Sequence, residues 1–199
     1  MMCSSATSFH ALNKARLKTG ESVAVFGVGG LGFSAIQLAK AFGAAQVFAI
    51  DINASKLLKA ERFGAVPINA SQSDPLAAIK DLTDGRGVDV ALELAGLPLT
   101  MHQAVRSLAI QGRAALVGIT DKTFAIAPYE EILNKEAEII GVSDHLRQEL
   151  PLLIEWVRQG KLDLSKIVTR TVPLEAEAIN HALDQLEQST EELRVVIVP

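Results

Sequence analysis

Gly27-Val28-Gly29-Gly30-Leu31-Gly32 places glycines at G-x-G-x-x-G spacing where an apolar run gives way to a helix-patterned one. At such a junction the first glycine allows a sharp turn and the second lets the backbone approach a pyrophosphate. The third lets helix and strand pack closely. The helix start contributes unpaired N–H groups and the positive end of its dipole, both suited to an anion. The next strand-like run, QVFAID, ends in Asp51, at about the 20-residue interval that a dinucleotide fingerprint requires. A carboxylate there accepts hydrogen bonds from the ribose 2′ and 3′ hydroxyls and repels a 2′-phosphate, which favours NAD over NADP. The plainer alternative is a tight connection whose acid only caps the following turn. The agreement of turn, strand, helix and acid spacing favours the cofactor.

These residues need a scaffold, and the chain is patterned for one. Short Val/Ile/Ala-rich runs at 22–27, 46–51, 66–69, 88–93, 113–118 and 138–143 are continuously apolar, as in parallel strands buried on both faces. Helix-patterned runs at 30–42, 55–63, 75–82 and 98–108 alternate with them, with Asn53 and Asp74 as caps. The alternation predicts an α/β fold: a doubly wound, six-stranded parallel sheet of Rossmann type with helices on both faces. A helix with Phe9, Leu12 and Ala15 on one face precedes it, stopping at Gly20, and the tail reads as two helices and a last strand. The expected division is 1–21, an N-terminal helix from an interdomain segment; 22–144, the nucleotide-binding domain; and 145–199, a C-terminal return.

Composition narrows the function further. The 199 residues, 49% apolar and 21% charged with net charge −4, suit a globular core. Basic residues are scattered, which argues against nucleic acid. No run reaches the roughly 20 apolar residues of a membrane span, and no signal pattern opens the chain. Together with a single cysteine, Cys3, these features predict a cytoplasmic location.

The stretches GVGGLG, AIDINASKLLKAERFGA, GRGVDVALELAG, GRAALVGI and PLEAEAINHALDQLEQ together resemble the medium-chain dehydrogenases, and within them the zinc-containing alcohol dehydrogenases. The resemblance runs from Met2 to Pro199. It implies that Gly27, Gly29, Gly30, Leu31 and Gly32 form the pyrophosphate turn and that Asp51 and Lys56 hold the adenosine ribose. It assigns Leu94 and Ala95 to the adenine side, Val117, Gly118 and Ile119 to the nicotinamide amide, and Thr7 to the nicotinamide ring. Arg194 matches a pyrophosphate-pairing arginine, a task its forked guanidinium suits. Glu93 is read as structural.

Cys3 matches one ligand of the family's catalytic zinc, and a zinc site of this kind takes about three protein ligands with one open position. The other ligands in the family belong to a preceding domain, so the resemblance implies an isolated cofactor domain with no catalytic residues of its own and little activity alone. His10, His102, His145 and His181 have no metal-ligand spacing and are expected to be ordinary polar residues. The function implied is NAD(H) binding for hydride transfer between an alcohol and its aldehyde or ketone, with zinc in the complete enzyme. The sixth strand candidate, near Glu138 to Ser143, is a sheet edge with unpaired backbone groups; the resemblance implies that it pairs with its twin in a homodimer. Two readings stay open: the cofactor domain of a zinc-free NADPH quinone or enoyl reductase, against which Asp51 and Cys3 argue, and a non-enzymatic NAD-binding module.

Overall fold

Six parallel strands lie in the order β3-β2-β1-β4-β5-β6. They are β1 (Ser22–Phe26), β2 (Gln46–Asp51), β3 (Val66–Asn69), β4 (Val88–Glu93), β5 (Leu108–Leu116) and β6 (Glu138–Gly141). The expected doubly wound sheet is present, and its order reverses direction between β1 and β4. The structure, a computed structural model, describes residues 3–165, 168, 170–188 and 194–199; Met1 and Met2 of the expected N-terminal segment lie outside them.

The central strand β1 and the middle of β2 read as apolar runs because both their faces are covered. Val23 and Val25 of β1 join one core cluster with Phe33, Ile36 and Leu92, while Ala24 and Phe26 join a second with Phe48, Ile79 and Val105. Between the strands run α2 (Gly30–Ala41), α3 (Ala54–Arg62), α4 (Pro75–Leu82) and α5 (Pro98–Arg106). Asn53 Oδ1 accepts from the N–H groups of Ser55 and Lys56, and Asp74 Oδ1 from that of Leu76, so both expected caps form.

The N-terminal helix α1 (Ser4–Lys14) is buried along almost its whole length. Phe9 meets the rings of Phe42 and Trp156, each at 5.4 Å, which joins α1 to the end of α2 and to α6 (Leu150–Arg158). Replacing a side chain as buried as Phe9 by alanine costs about 3–5 kcal/mol. The Ser8 hydroxyl donates to the Leu31 carbonyl at 2.9 Å, and the Ser5 and Ser34 hydroxyls lie 3.1 Å apart. These bonds tie α1 to the first turn of α2.

Four expectations need correction. The N-terminal helix expected to stop at Gly20 ends at Lys14, with Ala15 as its C-cap and Arg16 at φ +53° turning the chain out of it. The helix expected over 98–108 stops at Arg106, and β5 runs from Leu108 to Leu116 rather than over 113–118. Gln111, at φ +60°, and Gly112 form an irregularity inside one strand, where Gln-Gly reads in sequence as a break. An added Cβ on Gly112 would stand 2.9 Å from Ala109 O, so only glycine fits this kink. The sixth strand ends at Gly141, leaving Val142 and Ser143 in the loop beyond. The tail contains a strand the pattern did not reveal, β7 (Arg170–Pro173), before α7 (Ala176–Gln188) and β8 (Val195–Val198). β8 pairs with β7 as a separate parallel ribbon. Four residues are too few for alternation to be visible in sequence.

Candidate functional site

Gly27 follows β1 at φ +95°, the left-handed region that glycine enters without penalty. An added Cβ there would stand 3.0 Å from Ala95 N, and one on Gly32 would collide with the Gly27 carbonyl oxygen. Gly29 differs from both: a Cβ would meet nothing within 4 Å. The first and third glycines are therefore demanded by the protein's own packing. The second leaves open space at the start of α2, where Gly29 is the N-cap and Gly30 the first helical residue. That is the shape of a cradle for an anionic group, and the residues fit a dinucleotide pyrophosphate.

Asp51 stands at the end of β2 beside this cradle. Its Oδ2 accepts from Val28 N at 2.7 Å and its Oδ1 from Asn53 N at 2.9 Å. An ionised carboxylate has about four acceptor positions, so two remain for ribose hydroxyls. Lys56 is half-buried on the first turn of α3.

At the reversal point Leu94 N donates to Phe26 O at 2.9 Å, which locks the end of β4 to the end of β1. Glu93 is fully buried. Its Oε1 accepts from Ala95 N at 2.9 Å, Gly96 N at 2.8 Å and Thr100 Oγ1 at 2.7 Å, so it acts as an internal cap for the loop after β4. Its backbone oxygen takes the N–H groups of Val117 and Gly118. An added Cβ on Gly118 would collide with Gly96 N and stand 2.6 Å from Glu93 Oε2. Two loops that reach the site are thus held by one acid, which agrees with its structural reading.

The cleft beside these loops has a volume of about 650 Å³. Cys3, Thr7, Leu31, Leu94, Val117, Gly118 and Ile119 line it. Seven residues that the resemblance assigned to the turn, the adenine side, the nicotinamide and the zinc line one cleft, at the C-terminal ends of the strands where open α/β sheets bind ligands. Val142, Ser143, Asp144 and His145 complete the lining and were missed. The signal that could have found them is Gly141: ending β6 there puts the next four residues in a loop at the ligand end of the sheet. Arg194 directly precedes β8 in the separate ribbon, and it is not among the residues lining this cleft.

Three of the four histidines lie against a carboxylate. His10 Nδ1 lies 3.0 Å from Glu149 Oε1, His102 Nε2 lies 2.9 Å from Glu131 Oε1, and His145 Nδ1 lies 2.6 Å from Asp144 Oδ1. Among the described residues no group of three or more His, Cys, Asp or Glu could hold a metal ion. The described residues therefore do not make a zinc site, although exposed Cys3 carries a suitable ligand atom. No described helix is long and apolar enough to cross a membrane.

A second cleft, about 330 Å³, opens at the opposite end of the strands among Lys80, Arg86, Arg106 and Lys135. Lys135 Nζ donates to the Arg106 and Leu108 carbonyls, each at 2.9 Å. Burial, then the nearby Lys80 charge, pushes this ammonium below the ordinary lysine range. Lys135 thus caps the end of α5, Arg86 pairs with Asp89 at 2.6 Å, and Arg106 lies 3.6 Å from Glu131.

The comparisons with known proteins agree with this geometry. (R,R)-butanediol dehydrogenase of Bacillus subtilis is 30% identical over 195 residues, covering 98% of this chain and 56% of the relative. An NAD-dependent alcohol dehydrogenase of Sulfurisphaera tokodaii is 34% identical, covering 100% and 56%. The crystal structure of the 2R,3R-butanediol dehydrogenase of Bacillus subtilis superposes with a TM-score of 0.92 at 31% identity, again over 100% of this chain and 56% of that one. The chain thus spans about half the length of the curated relatives it matches. The family model described as zinc-binding dehydrogenase matches residues 30–159, from the first helical residue of the cradle to the end of α6, and the chain belongs to that family.

Proposed function

We propose that this chain is the NAD(H)-binding domain of a zinc-dependent alcohol dehydrogenase. The observation that carries the reading is the cradle: Gly29 opens on empty space, while Gly27 and Gly32 are crowded by the protein itself. The N–H groups at the start of α2 and Gly29 bind the pyrophosphate. Asp51 takes the adenosine ribose with Lys56 beside it, and Ala95 borders the adenine side; Leu94, expected there too, lines the cleft with Val117, Gly118, Ile119 and Thr7, and frames the nicotinamide with them. Arg194 pairs with the pyrophosphate. When bound, NAD supplies the hydride acceptor for conversion of an alcohol to an aldehyde or ketone, the substrate class of the relatives.

The zinc ligand role of Cys3 belongs to the same proposal and needs further ligands from outside the described residues. So does the division into a segment 1–21, a nucleotide-binding unit 22–144 and a C-terminal return 145–199. β6 lies at the sheet edge with Glu138, Ile139 and Gly141 exposed, which supports a homodimer formed by pairing two such edges. A cytoplasmic location accords with the single cysteine.

Titration calorimetry of the chain with NADH and with NADPH tests the cofactor assignment. Binding of NADH with a clear preference over NADPH is the expected result. Preference for NADPH, or no heat with either at millimolar ligand, overturns it.

A further inference from the structure

We propose that Asp144 raises the affinity of this site for the oxidised cofactor relative to the reduced one. The inference rests on the reading of the cleft around Thr7 and Val117–Ile119 as the nicotinamide end of an NAD site. Among the described residues that line this cleft, Asp144 is the one Asp, Glu, Lys or Arg.

The carboxylate is held in place from two sides. Thr7 Oγ1 on α1 donates to Asp144 Oδ1 at 3.4 Å, and His145 Nδ1 lies 2.6 Å from the same oxygen. Farther along the loop, Glu149 Oε1 accepts from Asn13 Nδ2 at 3.0 Å and lies 3.0 Å from His10 Nδ1, while Glu149 Oε2 accepts from Leu146 N at 3.1 Å. Helix α1 therefore fixes the loop at both Thr7 and His10. Asp144 itself sits at φ +53°, a left-handed conformation that Asp and Asn enter more readily than other side chains.

The chemistry follows from the difference between the two cofactor forms. The nicotinamide ring of NAD⁺ is a pyridinium cation, and the dihydropyridine ring of NADH is neutral; the rest of the molecule carries the same charges in both. A carboxylate lining the nicotinamide end therefore attracts the oxidised ring, and no equivalent attraction exists for the reduced one. Asp144 leaves much of its side chain in solvent, 68% exposed, so the field is screened and its effect is moderate. Hydrogen-bonding groups such as Thr7 do not distinguish the forms in this way.

The test is calorimetric titration of the 199-residue chain with NAD⁺ and with NADH at one fixed pH, compared with Asp144→Asn. Asparagine keeps the shape and the left-handed backbone and removes the charge. The expected result is a two- to fivefold loss of NAD⁺ affinity relative to NADH, as for about one partly exposed ion pair. The loss should shrink at about 0.5 M salt. Asp144→Ser, with folding checked by circular dichroism, serves where the asparagine variant is unstable. An unchanged ratio of the two affinities, or an equal fall in both, overturns the inference while NAD binding stands. If the unsubstituted chain binds neither form, the underlying reading of the cleft fails as well.

Discussion

Val28 N donates to Asp51 Oδ2 at 2.7 Å, so the glycine turn after β1 and the acid ending β2 form one hydrogen-bonded unit. This bond spans the two ends of the fingerprint and aims the carboxylate at the space beside the cradle. Replacing Asp51 by serine removes the charge and the ribose acceptor together. Charge-assisted hydrogen bonds contribute roughly 1.5–3 kcal/mol, so NADH affinity should fall about 10- to 100-fold while NADPH becomes the better relative ligand. Competitive fluorescence titration with the two cofactors checks this, and retained discrimination against NADPH would contradict the role of Asp51.

The glycines of the cradle should separate folding from binding. Gly29→Ala adds a methyl group to open space, and its φ of −93° suits any residue. The melting temperature should stay within a few degrees of the parent, while NADH affinity drops at least about tenfold. Gly32→Ala drives a methyl group into the Gly27 carbonyl and should destabilise the fold by about 1–3 kcal/mol in addition to losing NADH. Thermal melts and titrations on both variants make the comparison.

Acid should weaken one end of the sheet through Asp89. Burial alone would push this carboxyl up, but the Arg86 guanidinium and the Ser22 N–H and hydroxyl, all hydrogen-bonded to it, hold it at about 2 instead of an ordinary 3.8. A carboxyl lowered in the folded state stabilises it above its unfolded value, and the contribution disappears as pH falls through the folded value. Arg86 is half exposed, so the contribution is about 1 kcal/mol once solvent screening is discounted. Urea unfolding should show the advantage over Asp89→Asn intact at pH 6 and closing between pH 4 and about 2.

The proposed edge pairing through β6 is checked by a measured mass. Ile139 is 36% exposed on this edge strand, and Ile139→Lys places a charge where a second sheet would add. Sedimentation should show a dimer for the parent chain and a monomer for the variant, with the melting profile of the monomer retained. A monomeric parent chain at micromolar concentration would remove the edge as an interface.

Much of this molecule was legible because its signals are local. Strands buried on both faces are apolar along their covered stretch, so the VFAI of β2 and the VAL of β4 announce themselves, and Asn53 and Asp74 cap helices through bonds only two or three residues long. The kink at Gln111-Gly112 and the ribbon strand β7 were obscured because each depends on a partner strand distant in sequence. The loop after β6 was hidden by a two-residue error in where that strand ends.

The sequence by itself determined the strand–helix alternation of a doubly wound sheet, the glycine turn and the acid that answers it, since backbone freedom, apolar runs and charge are properties of residue types at fixed spacing. Only the tertiary structure decided which of those residues meet. Packing of α1 onto α2 and α6 brings Cys3 and Thr7 to the wall formed by Val117, Gly118 and Ile119, and brings Asp144 within reach of Thr7. Such meetings depend on how helices and sheet bury their apolar faces against one another, and no interval along the chain encodes them.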